Sequence, residues 1–575
     1  MSGHPARCVH GAHRAVSKGR RSRHPAGAGD ATGTARSAST RGASLSRALR
    51  CCVAGAALAW VWTWAWAWAG AESGPGWSPA ERDGRPERTW WPQPVRTQAT
   101  VTWRAASPAQ GTSPLVWDAA PLAWSPSAVA ASAPAAVAAG APSAYLPVLA
   151  KGHEWPRRAV FGMQISEDRF RDPEMIRSVR AAGATWLRTF LFWDEVEPVR
   201  TRPPTYDWRL YDPLFRAASE QGLNVIAEIQ GNPRWVADFP GGPPRDLDAL
   251  AQFVAAAVER YDGDGHLDGP GQPVVRYWEL YNEPDNTDAQ LAMEGRGWGF
   301  WGFHGAEYAR MLKRVYPAVK IASPAAQVVF GGVAYDGFIP HDGPFNPRFT
   351  DDVLAAGGGP FFDVMNFHYY PLFAGNWREF GIGIVGKAAA VRAVLAQHGL
   401  EKPLMLTEAG SWSAASPPYP STTPQEQANY VVQLHARALV ADMRAVCWFT
   451  YDDVAGVDDP ARGLVDRDLR AKPALAAYRV ASEALGGARY HATAAADPAG
   501  AEVYWFRRGA QPLAAAWSND GVVRHLALRA PGAWRTRAMG GRLLVTDEAD
   551  GALDGVTHVP FGREPVFVAP LAASR

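Results

Sequence analysis

Two glutamates stand at the ends of two apolar runs in this sequence. Glu283 follows Asn282 in the stretch VVRYWELYNEPDN, and Glu408 lies near the end of PLMLTEAG, 125 residues later. Two carboxyl groups can divide acid–base work, because one can hold a proton while the other stays ionised. Such a pair suits cleavage of a glycosidic bond: one carboxyl protonates the leaving oxygen and the other attacks or stabilises the sugar cation.

A third glutamate, Glu279, lies four residues before Glu283 in the same run. At about 3.3 Å per residue of strand, it lies about 13 Å back along the chain. A carboxyl group at that depth must be paired or protonated. We therefore expect Glu279 to be structural and Glu283 to face the reaction.

Short apolar runs alternate with amphipathic helical patterns from Arg158 onward, which indicates βα units and a parallel sheet. Eight strands are predicted, at 159–165, 185–192, 224–230, 274–281, 327–333, 362–370, 403–409 and 445–452. Eight units predict a (β/α)8 TIM barrel, in which chemistry belongs at the carboxyl ends of the strands. A doubly wound open sheet is the alternative, but no glycine-rich phosphate loop follows the first strand.

The predicted strand ends carry a set of polar and aromatic side chains that would meet at the barrel mouth. In chain order these are Gln164, Arg188, Gln230 with Asn232, Asn282 with Glu283, Asp336, His368 with Tyr370, Glu408, and Trp448 with Tyr451. Glu283 and Glu408 end the fourth and seventh strands, which lie across the mouth from each other. We expect these two carboxyl groups to form the reactive pair.

The stretches YNEP and LTEAG resemble the signature of clan A, the TIM-barrel clan of retaining glycoside hydrolases, of the family 39 or family 5 type. Further similar stretches follow in the expected order: WLRTFLFWDEVEP, NPRWVA, NFHYYP and the tryptophan of the eighth strand. The resemblance covers roughly residues 158–485. It implies that Glu283 is the acid/base and that Glu408 is the nucleophile.

The resemblance also implies roles for the neighbours of the two glutamates. Asn282 would bond the 2-hydroxyl of the sugar, and Arg188 would hold Glu408 ionised. Tyr370 would donate to the second oxygen of the nucleophile. His368 would orient a carboxyl group or bind sugar, and Trp448 would form the floor under the sugar. A structural salt bridge for Arg188, and core positions for His368 and Trp448, are the alternatives.

Three further tryptophans offer flat faces for sugar stacking. Trp298 and Trp301 lie in a glycine-rich insertion after the fourth strand, residues 286–303, and Trp235 follows the third. Aromatic rings can cover a sugar, but they also fill cores. We expect these residues to bind substrate, with a packed surface loop as the alternative.

The amino end predicts export. Residues 1–50 contain ten Lys or Arg and one acid, and the uncharged run 51–71 follows them. We interpret 1–71 as a basic region with a signal peptide, or as a membrane anchor if the run stays uncleaved. The stretch 72–150 is rich in Pro, Ala and Ser, which predicts a disordered linker.

The remaining predictions concern the domains and the partners. Residues 151–485 would form the barrel, and alternating patterns in 486–575 predict a small antiparallel, sandwich-like β-domain. The formal net charge of +2 gives no nucleic-acid footprint. We expect a carbohydrate substrate and neither a metal nor another cofactor. The predicted function is an exported glycosidase acting on β-linked sugars; a non-catalytic glycan-binding or envelope protein and a transglycosylase are the alternatives.

Overall fold

The structure is a computed structural model that describes residues 115–117, 160–294, 299–336, 343–415, 422–454 and 461–571. The predicted signal or anchor, 1–71, lies outside these ranges, as does the linker apart from a three-residue strand, Leu115–Trp117. No helix in the described ranges is long and apolar enough to cross a membrane.

Eight parallel strands form a barrel, which confirms the predicted architecture. They are β1 (Phe161–Gln164), β2 (Trp186–Phe192), β3 (Asn224–Gln230), β4 (Tyr277–Asn282), β5 (Gln327–Gly332), β6 (Met365–Tyr369), β7 (Leu404–Ala409) and β8 (Met443–Phe449). The hydrogen-bonded order runs β5-β4-β3-β2-β1-β8-β7-β6. Two bridges, Val329 to Val364 and Val333 to Phe367, join β5 to β6.

Helices follow each strand and cover the barrel. They are α1 (Pro173–Ala181), α2 (Trp193–Val196), α3 (Asp212–Glu220), α4 (Leu247–Arg260), α5 (Ala289–Glu294), α6 (Gly305–Ala322), α7 (Phe349–Ala355), α8 (Gly383–Gln397), α9 (Pro424–Val440) and α10 (Pro473–Leu485). Short 3-10 helices span Gly359–Phe361, Pro371–Phe380 and Asp547–Asp550. Asp246 and Thr423 are the N-caps of α4 and α9, because their side chains accept from backbone amides of the first turn.

The barrel interior is filled in layers, because alternate residues of each strand point inward. One layer is apolar and consists of Trp186, Ile226, Tyr277, Val329, Val364, Met405, Ala445 and Cys447. A polar layer lies two residues further along five of these strands. It consists of Arg188, Glu228, Glu279, Asn366 and Thr407, all of which are buried. The apolar layer excludes water from the amino-terminal end of the barrel. The side chains of the polar layer must therefore find hydrogen-bond partners among themselves or at the barrel mouth.

The carboxyl-terminal segment is an antiparallel β-domain, as predicted. Its strands are β9 (Arg489–Ala496), β10 (Ala501–Arg508), β11 (Gln511–Ser518), β12 (Arg524–Leu528), β13 (Gly532–Arg537), β14 (Arg542–Thr546), β15 (Thr557–Phe561) and β16 (Val566–Pro570). Six strands form one sheet in the order β9-β10-β11-β16-β13-β14, and β12 pairs with β15 and with Leu115–Trp117 in a second. Side chains of both sheets share one apolar core.

Candidate active site

Arg188 stands at the centre of the polar layer, fully buried. Its Nε and Nη2 donate to the two carboxylate oxygens of Glu279 at 2.8 and 2.9 Å. Its Nη1 donates to Gln164 Oε1 at 2.8 Å and to Glu408 Oε1 at 2.6 Å. Its Nη2 also donates to Asn282 Oδ1 at 2.7 Å, which fixes the orientation of that amide. One guanidinium thus links a structural carboxylate to the seventh-strand glutamate.

Glu228 is a third carboxyl group beside Arg188 that the sequence analysis missed. Its Oε2 lies 2.7 Å from Arg188 Nη2, but the contact lacks hydrogen-bond geometry and neither oxygen has another partner among the described residues. Glu228 and Glu279 are register partners on β3 and β4. Burial raises the pKa of Glu228 well above its usual range, against the opposing effect of Arg188. A charged residue inside the apolar run NVIAEIQ was the signal available in the sequence.

Three carboxyl groups raise the pKa of Arg188. Burial alone would lower its pKa, but Glu228, Glu279 and Glu408 together raise it well above the ordinary value. The guanidinium therefore stays charged at every pH at which the protein folds.

A bulge in β7 brings Thr407 and Glu408 to the same side of the barrel wall. The pairing of β6 with β7 shifts by one residue between Phe367 and His368, so His368 pairs with Glu408. Such a shift re-aims a side chain locally. Tyr370 then donates its hydroxyl to Glu408 Oε2 at 3.0 Å. Glu408 is therefore held at both oxygens, by Arg188 on one and Tyr370 on the other.

Glu283 lies just beyond the end of β4 in an unusual backbone conformation. Its φ is 42°, and that of Tyr281 is 65°. Left-handed backbone at a residue with a side chain costs on the order of 1–3 kcal/mol, and such strain clusters at functional sites. The turn leaves Glu283 7% exposed at the mouth, the same fraction as Glu408.

His368 positions Glu283 and is itself completely buried. Its Nδ1 lies 3.0 Å from Glu283 Oε1, and its Nε2 lies 3.2 Å from Thr407 Oγ1. Since Thr407 Oγ1 donates to Glu279 Oε1, its oxygen can accept from His368 Nε2–H. Nδ1 is then left as an acceptor for a proton carried by Glu283. Of the two predicted roles for His368, the geometry fits orientation of a carboxyl group.

The two mouth carboxyls have unequal surroundings. Burial first, and then Glu408, Asp285 and Asp336, raise the pKa of Glu283 well above its usual range. Burial also raises the pKa of Glu408, but Arg188 and Tyr370 act in the opposite direction. Burial and the nearby Arg188 lower the pKa of His368 well below its usual range, so the ring is neutral at neutral pH. Of the pair, Glu283 holds its proton to the higher pH.

The two carboxyl groups are also close enough to act on the same bond. Oxygens of Glu283 and Glu408 and a nitrogen of His368 all lie within 4.8 Å of one another. These atoms are also near enough to share a cation. The Arg188 guanidinium, 2.6 Å from Glu408 Oε1, would face that cation with like charge.

Behind Glu283 lies a buried ionic cluster that includes the predicted strand-end residue Asp336. Lys387 Nζ donates to Asp336 Oδ1 at 3.0 Å, and the side chain of Asp285 accepts the amides of Ala334 and Tyr335. Burial raises the pKa of Asp336 to about 6 and that of Asp285 to about 7. This cluster fixes the loop on which Glu283 stands, since Asp285 follows it by two residues.

Trp448 does not lie where the sequence analysis expected it. It is fully buried, its Nε1 donates to Arg462 O, and its ring lies 6.1 Å from that of Tyr430. The pleat explains the difference: Ala445 and Cys447 belong to the interior layer, so Trp448 points outward to the helices. The next residue, Phe449, is half-buried and takes the inward position.

Of the other predicted stacking residues, the structure contradicts Trp301. Trp301 is fully buried against Tyr281 and Tyr308, so it is core and offers no face to a sugar. Trp235 is half-buried, and the Arg200 guanidinium lies 5.3 Å from its ring centroid. Trp298 lies outside the described residues.

Comparison with solved structures identifies the fold. A family 39 glycoside hydrolase from Bacteroides cellulosilyticus WH2 superposes with a TM-score of 0.54 at 20% identity, over 72% of this chain and 82% of that one. A glucosidase from Croceicoccus marinus gives 0.50 at 18% identity, over 72% and 97%. A conserved exported protein from Bacteroides fragilis gives 0.51 at 12% identity, over 72% and 98%.

Sequence comparison adds nothing to this, because no protein-family model and no curated protein matches the chain. The structural likeness confirms the predicted TIM barrel. At these identities it establishes a fold that the chain shares with a family 39 glycoside hydrolase.

Proposed function

We propose that this protein is a retaining glycoside hydrolase in which Glu283 is the acid/base and Glu408 the nucleophile. One observation carries the proposal: two buried carboxyls of unequal environment, with oxygens within 4.8 Å, face one mouth of the barrel. Carboxyl groups of retaining enzymes stand about 5–5.5 Å apart, and those of inverting enzymes about 6.5–9.5 Å. The short distance between the oxygens therefore supports the retaining mechanism.

Each step has a group in place. In the first step Glu408 attacks the anomeric carbon while the proton of Glu283 passes to the leaving oxygen, which breaks the glycosidic bond. In the second, Glu283 removes a proton from water, whose oxygen displaces Glu408 from the same carbon. Neutral His368 supports both states of Glu283, because its Nδ1 can accept from the acid or, in the other tautomer, donate to the carboxylate.

The neighbouring contacts prepare the nucleophile. Arg188 and Tyr370 hold the two oxygens of Glu408 in one orientation, which reduces the freedom that it must lose in the transition state. Asn282, anchored by Arg188, lies beside Glu283, where we propose that it bonds the sugar 2-hydroxyl. A phenyl ring, Phe449, takes the inward place on β8 that we had assigned to Trp448.

The proposed substrate is a β-linked oligo- or polysaccharide. The barrel is shared with a family 39 glycoside hydrolase and a glucosidase, which supports a carbohydrate substrate. We further propose that the chain is exported, since a basic region precedes the uncharged run 51–71. The mature enzyme would then act outside the cytoplasm, released or held by that run.

The test is hydrolysis of a panel of aryl β-glycosides, followed by NMR of the first product formed. We expect retention at the anomeric carbon, and a loss of about 10⁴-fold or more in kcat for Glu408→Ala. Added azide should restore turnover in Glu408→Ala and give a glycosyl azide of inverted configuration. Glu307→Ala, an exposed glutamate on α6, is the matched control and should keep full activity.

Four results would count against the proposal. An inverted first product would exclude the double displacement, and full activity of Glu408→Ala would exclude its nucleophile. Saturable glycan binding by the wild type without turnover of any glycoside would favour the non-catalytic alternative. Products extended by added acceptor sugars, at the expense of hydrolysis, would favour a transglycosylase.

A further inference from the structure

A cavity of about 610 Å³ lies between the barrel helices and the β-domain. Its walls come from the segment before α8 and the first turn of α8, from one face of α9, from β9 and β10, and from Asn519 after β11; neither Glu283 nor Glu408 lines it. Its volume is within the range of small-molecule sites, about 300–1,000 Å³. The chemistry of its wall indicates what it can hold.

The first turn of α8 forms part of this wall. The helix begins at Gly383, and its cap residue, Ile382, has no side chain that could accept from the first amides. Gly381, Ile382, Gly383 and Val385 all line the cavity. The positive end of a 15-residue helix therefore borders the cavity without a capping carboxylate or hydroxyl.

Glycine is required where this turn is tightest. Gly383 has a φ of 54°, which disfavours any side chain. A Cβ on Gly386 would lie 2.6 Å from Gly381 O and 2.7 Å from Trp377 O. The stretch Gly381-Ile-Gly383-Ile-Val-Gly386 thus brings the helix start close to its neighbours.

Two tyrosine hydroxyls in the wall have no hydrogen-bond partner among the described residues. Tyr430 is only 8% exposed, yet its hydroxyl is unpaired. Tyr369 is 2% exposed, and its hydroxyl lies 3.6 Å from where a Cβ on Gly383 would be. A buried polar group without a partner costs free energy, and a ligand oxygen would relieve that cost.

A buried ion pair between Arg437 and Glu502 completes the wall and leaves one nitrogen of the guanidinium outside the pairing. Arg437 Nε and Nη2 donate to Glu502, which also accepts from Tyr504, Trp517 and Asn519. Glu502 is therefore saturated with donors. Arg437 Nη1 takes no part in this pairing and lies 3.4 Å from the same Cβ position on Gly383.

We propose that this cavity is a binding site for an oxyanion, a carboxylate, phosphate or sulfate group of a small ligand. The Tyr369 and Tyr430 side chains and Arg437 line the cavity beside the start of α8, and the Tyr369 hydroxyl and Arg437 Nη1 both lie near Gly383. Glu502, the one carboxylate among the lining residues, has its oxygens occupied. Arg378, exposed on the rim, adds a second cation. Two guanidinium groups beside hydroxyl donors, with the one lining carboxylate already paired, suit an anion.

The test uses isothermal titration of the full chain with four probes: inorganic phosphate, sulfate, D-glucuronate and D-glucose. We expect saturable binding of at least one anion and none of glucose. Glucuronate binding without phosphate or sulfate would assign the site to an acidic sugar, whereas the reverse would assign it to an inorganic oxyanion. Both arms support an oxyanion site.

Two variants locate the binding. Tyr430→Phe removes an unpaired hydroxyl and should weaken anion binding about three- to tenfold without loss of stability. Arg378→Ala should weaken it by a similar factor and reduce its dependence on salt. Tyr206→Phe removes a buried hydroxyl after the second barrel strand and is the matched control, with binding unchanged.

The proposal is overturned if no anion binds, if glucose binds in place of the anions, or if Tyr430→Phe and Arg378→Ala, folded by circular dichroism, bind anions as the wild type does. Turnover at the barrel mouth is measured separately on the same samples. Failure of anion binding with normal glycoside hydrolysis would remove this site and leave the proposed function standing.

Discussion

The barrel contains two pairs of glutamates, one above the other, and they differ in what surrounds them. The mouth pair, Glu283 and Glu408, is slightly exposed, and its oxygens contact His368, Tyr370 and Arg188. The floor pair, Glu228 and Glu279, is fully buried in one register row against Arg188. Both pairs have two carboxyls close together, so proximity alone does not make a reactive site.

Access and asymmetry separate the two pairs. A substrate can reach the mouth pair, and different partners push the proton affinities of its members apart. The apolar layer of Trp186, Ile226 and Tyr277 closes the floor pair from below. Arg188 couples the pairs, since the same guanidinium contacts Glu279 and Glu408. The floor pair therefore acts on the reaction through the position and charge of that arginine, and Glu279 also acts through Thr407, which contacts His368.

Arg188→Met should give the largest effect, because it leaves the carboxyls of both pairs without their common cation. Breaking a buried ion pair from one side costs about 3–5 kcal/mol of unfolding free energy. We expect a loss of that size in urea unfolding, with hydrolysis lost as well. The control, Arg177→Met, removes an exposed arginine of α1 and should change neither. Wild-type stability of Arg188→Met would show that the two pairs are not coupled.

Tyr370→Phe affects the mouth pair alone. A hydrogen bond to a charged group contributes about 1.5–3 kcal/mol, so kcat should fall about 10- to 100-fold. The bond from Tyr370 lowers the pKa of Glu408, so its loss should move the acidic limb of the kcat/KM profile to higher pH. Tyr369→Phe is the control, because that hydroxyl does not contact Glu408. An acidic limb that stayed in place would show that Glu408 does not determine it.

The sequence predicted all eight barrel strands and both mouth glutamates, because apolar runs and polar strand ends are local features. It also indicated that Glu279 is buried and structural. The bulge before Glu408 was beyond it, since a register shift depends on the pairing of β6 with β7. Glu228 was missed for a related reason: an apolar run with one glutamate gives no sign of what lies on the next strand.

The tryptophans also show that the sequence alone does not give strand register. Which of two adjacent residues points inward follows from the pleat, and a one-residue error moved the assignment from Phe449 to Trp448. Trp301 had an alternative as a packed residue, and tertiary contacts with Tyr281 and Tyr308 decided for it. Aromatic type without register therefore predicts a sugar-binding face poorly.

Glu228→Gln sharpens the comparison within the floor pair. Since Glu228 has no hydrogen-bond donor among the described residues and burial raises its pKa, a neutral amide of the same shape should change kcat less than about threefold. The same substitution on the neighbouring strand, Glu279→Gln, removes the negative charge and replaces one of the two oxygens that accept from Arg188 by an NH2 donor. It should cost about 3 kcal/mol of unfolding free energy. Equal effects of the two would show that the floor pair is symmetric.

Stability against pH gives a second measurement on Glu228→Gln. The folded protein holds this proton to higher pH than the unfolded chain does, so the folded state binds more protons and stability falls as pH rises above about 4.5. The variant removes that contribution, so its unfolding free energy should decline less between pH 5 and pH 8. A parallel decline in variant and wild type would show that Glu228 ionises in the folded state as it does in the unfolded chain.

Removal of metal ions by a chelator should have the smallest effect on hydrolysis. It tests whether the mouth pair takes its positive charge from Arg188 or from a metal ion. The floor pair has Arg188, and the mouth pair, with His368, has atoms close enough to share a metal ion. Because Arg188 also contacts Glu408, a divalent cation there would meet a permanent like charge. Hydrolysis should therefore be unchanged after dialysis against EDTA and after added zinc or calcium. Activity lost with EDTA and restored by one metal would make the mouth pair a metal site.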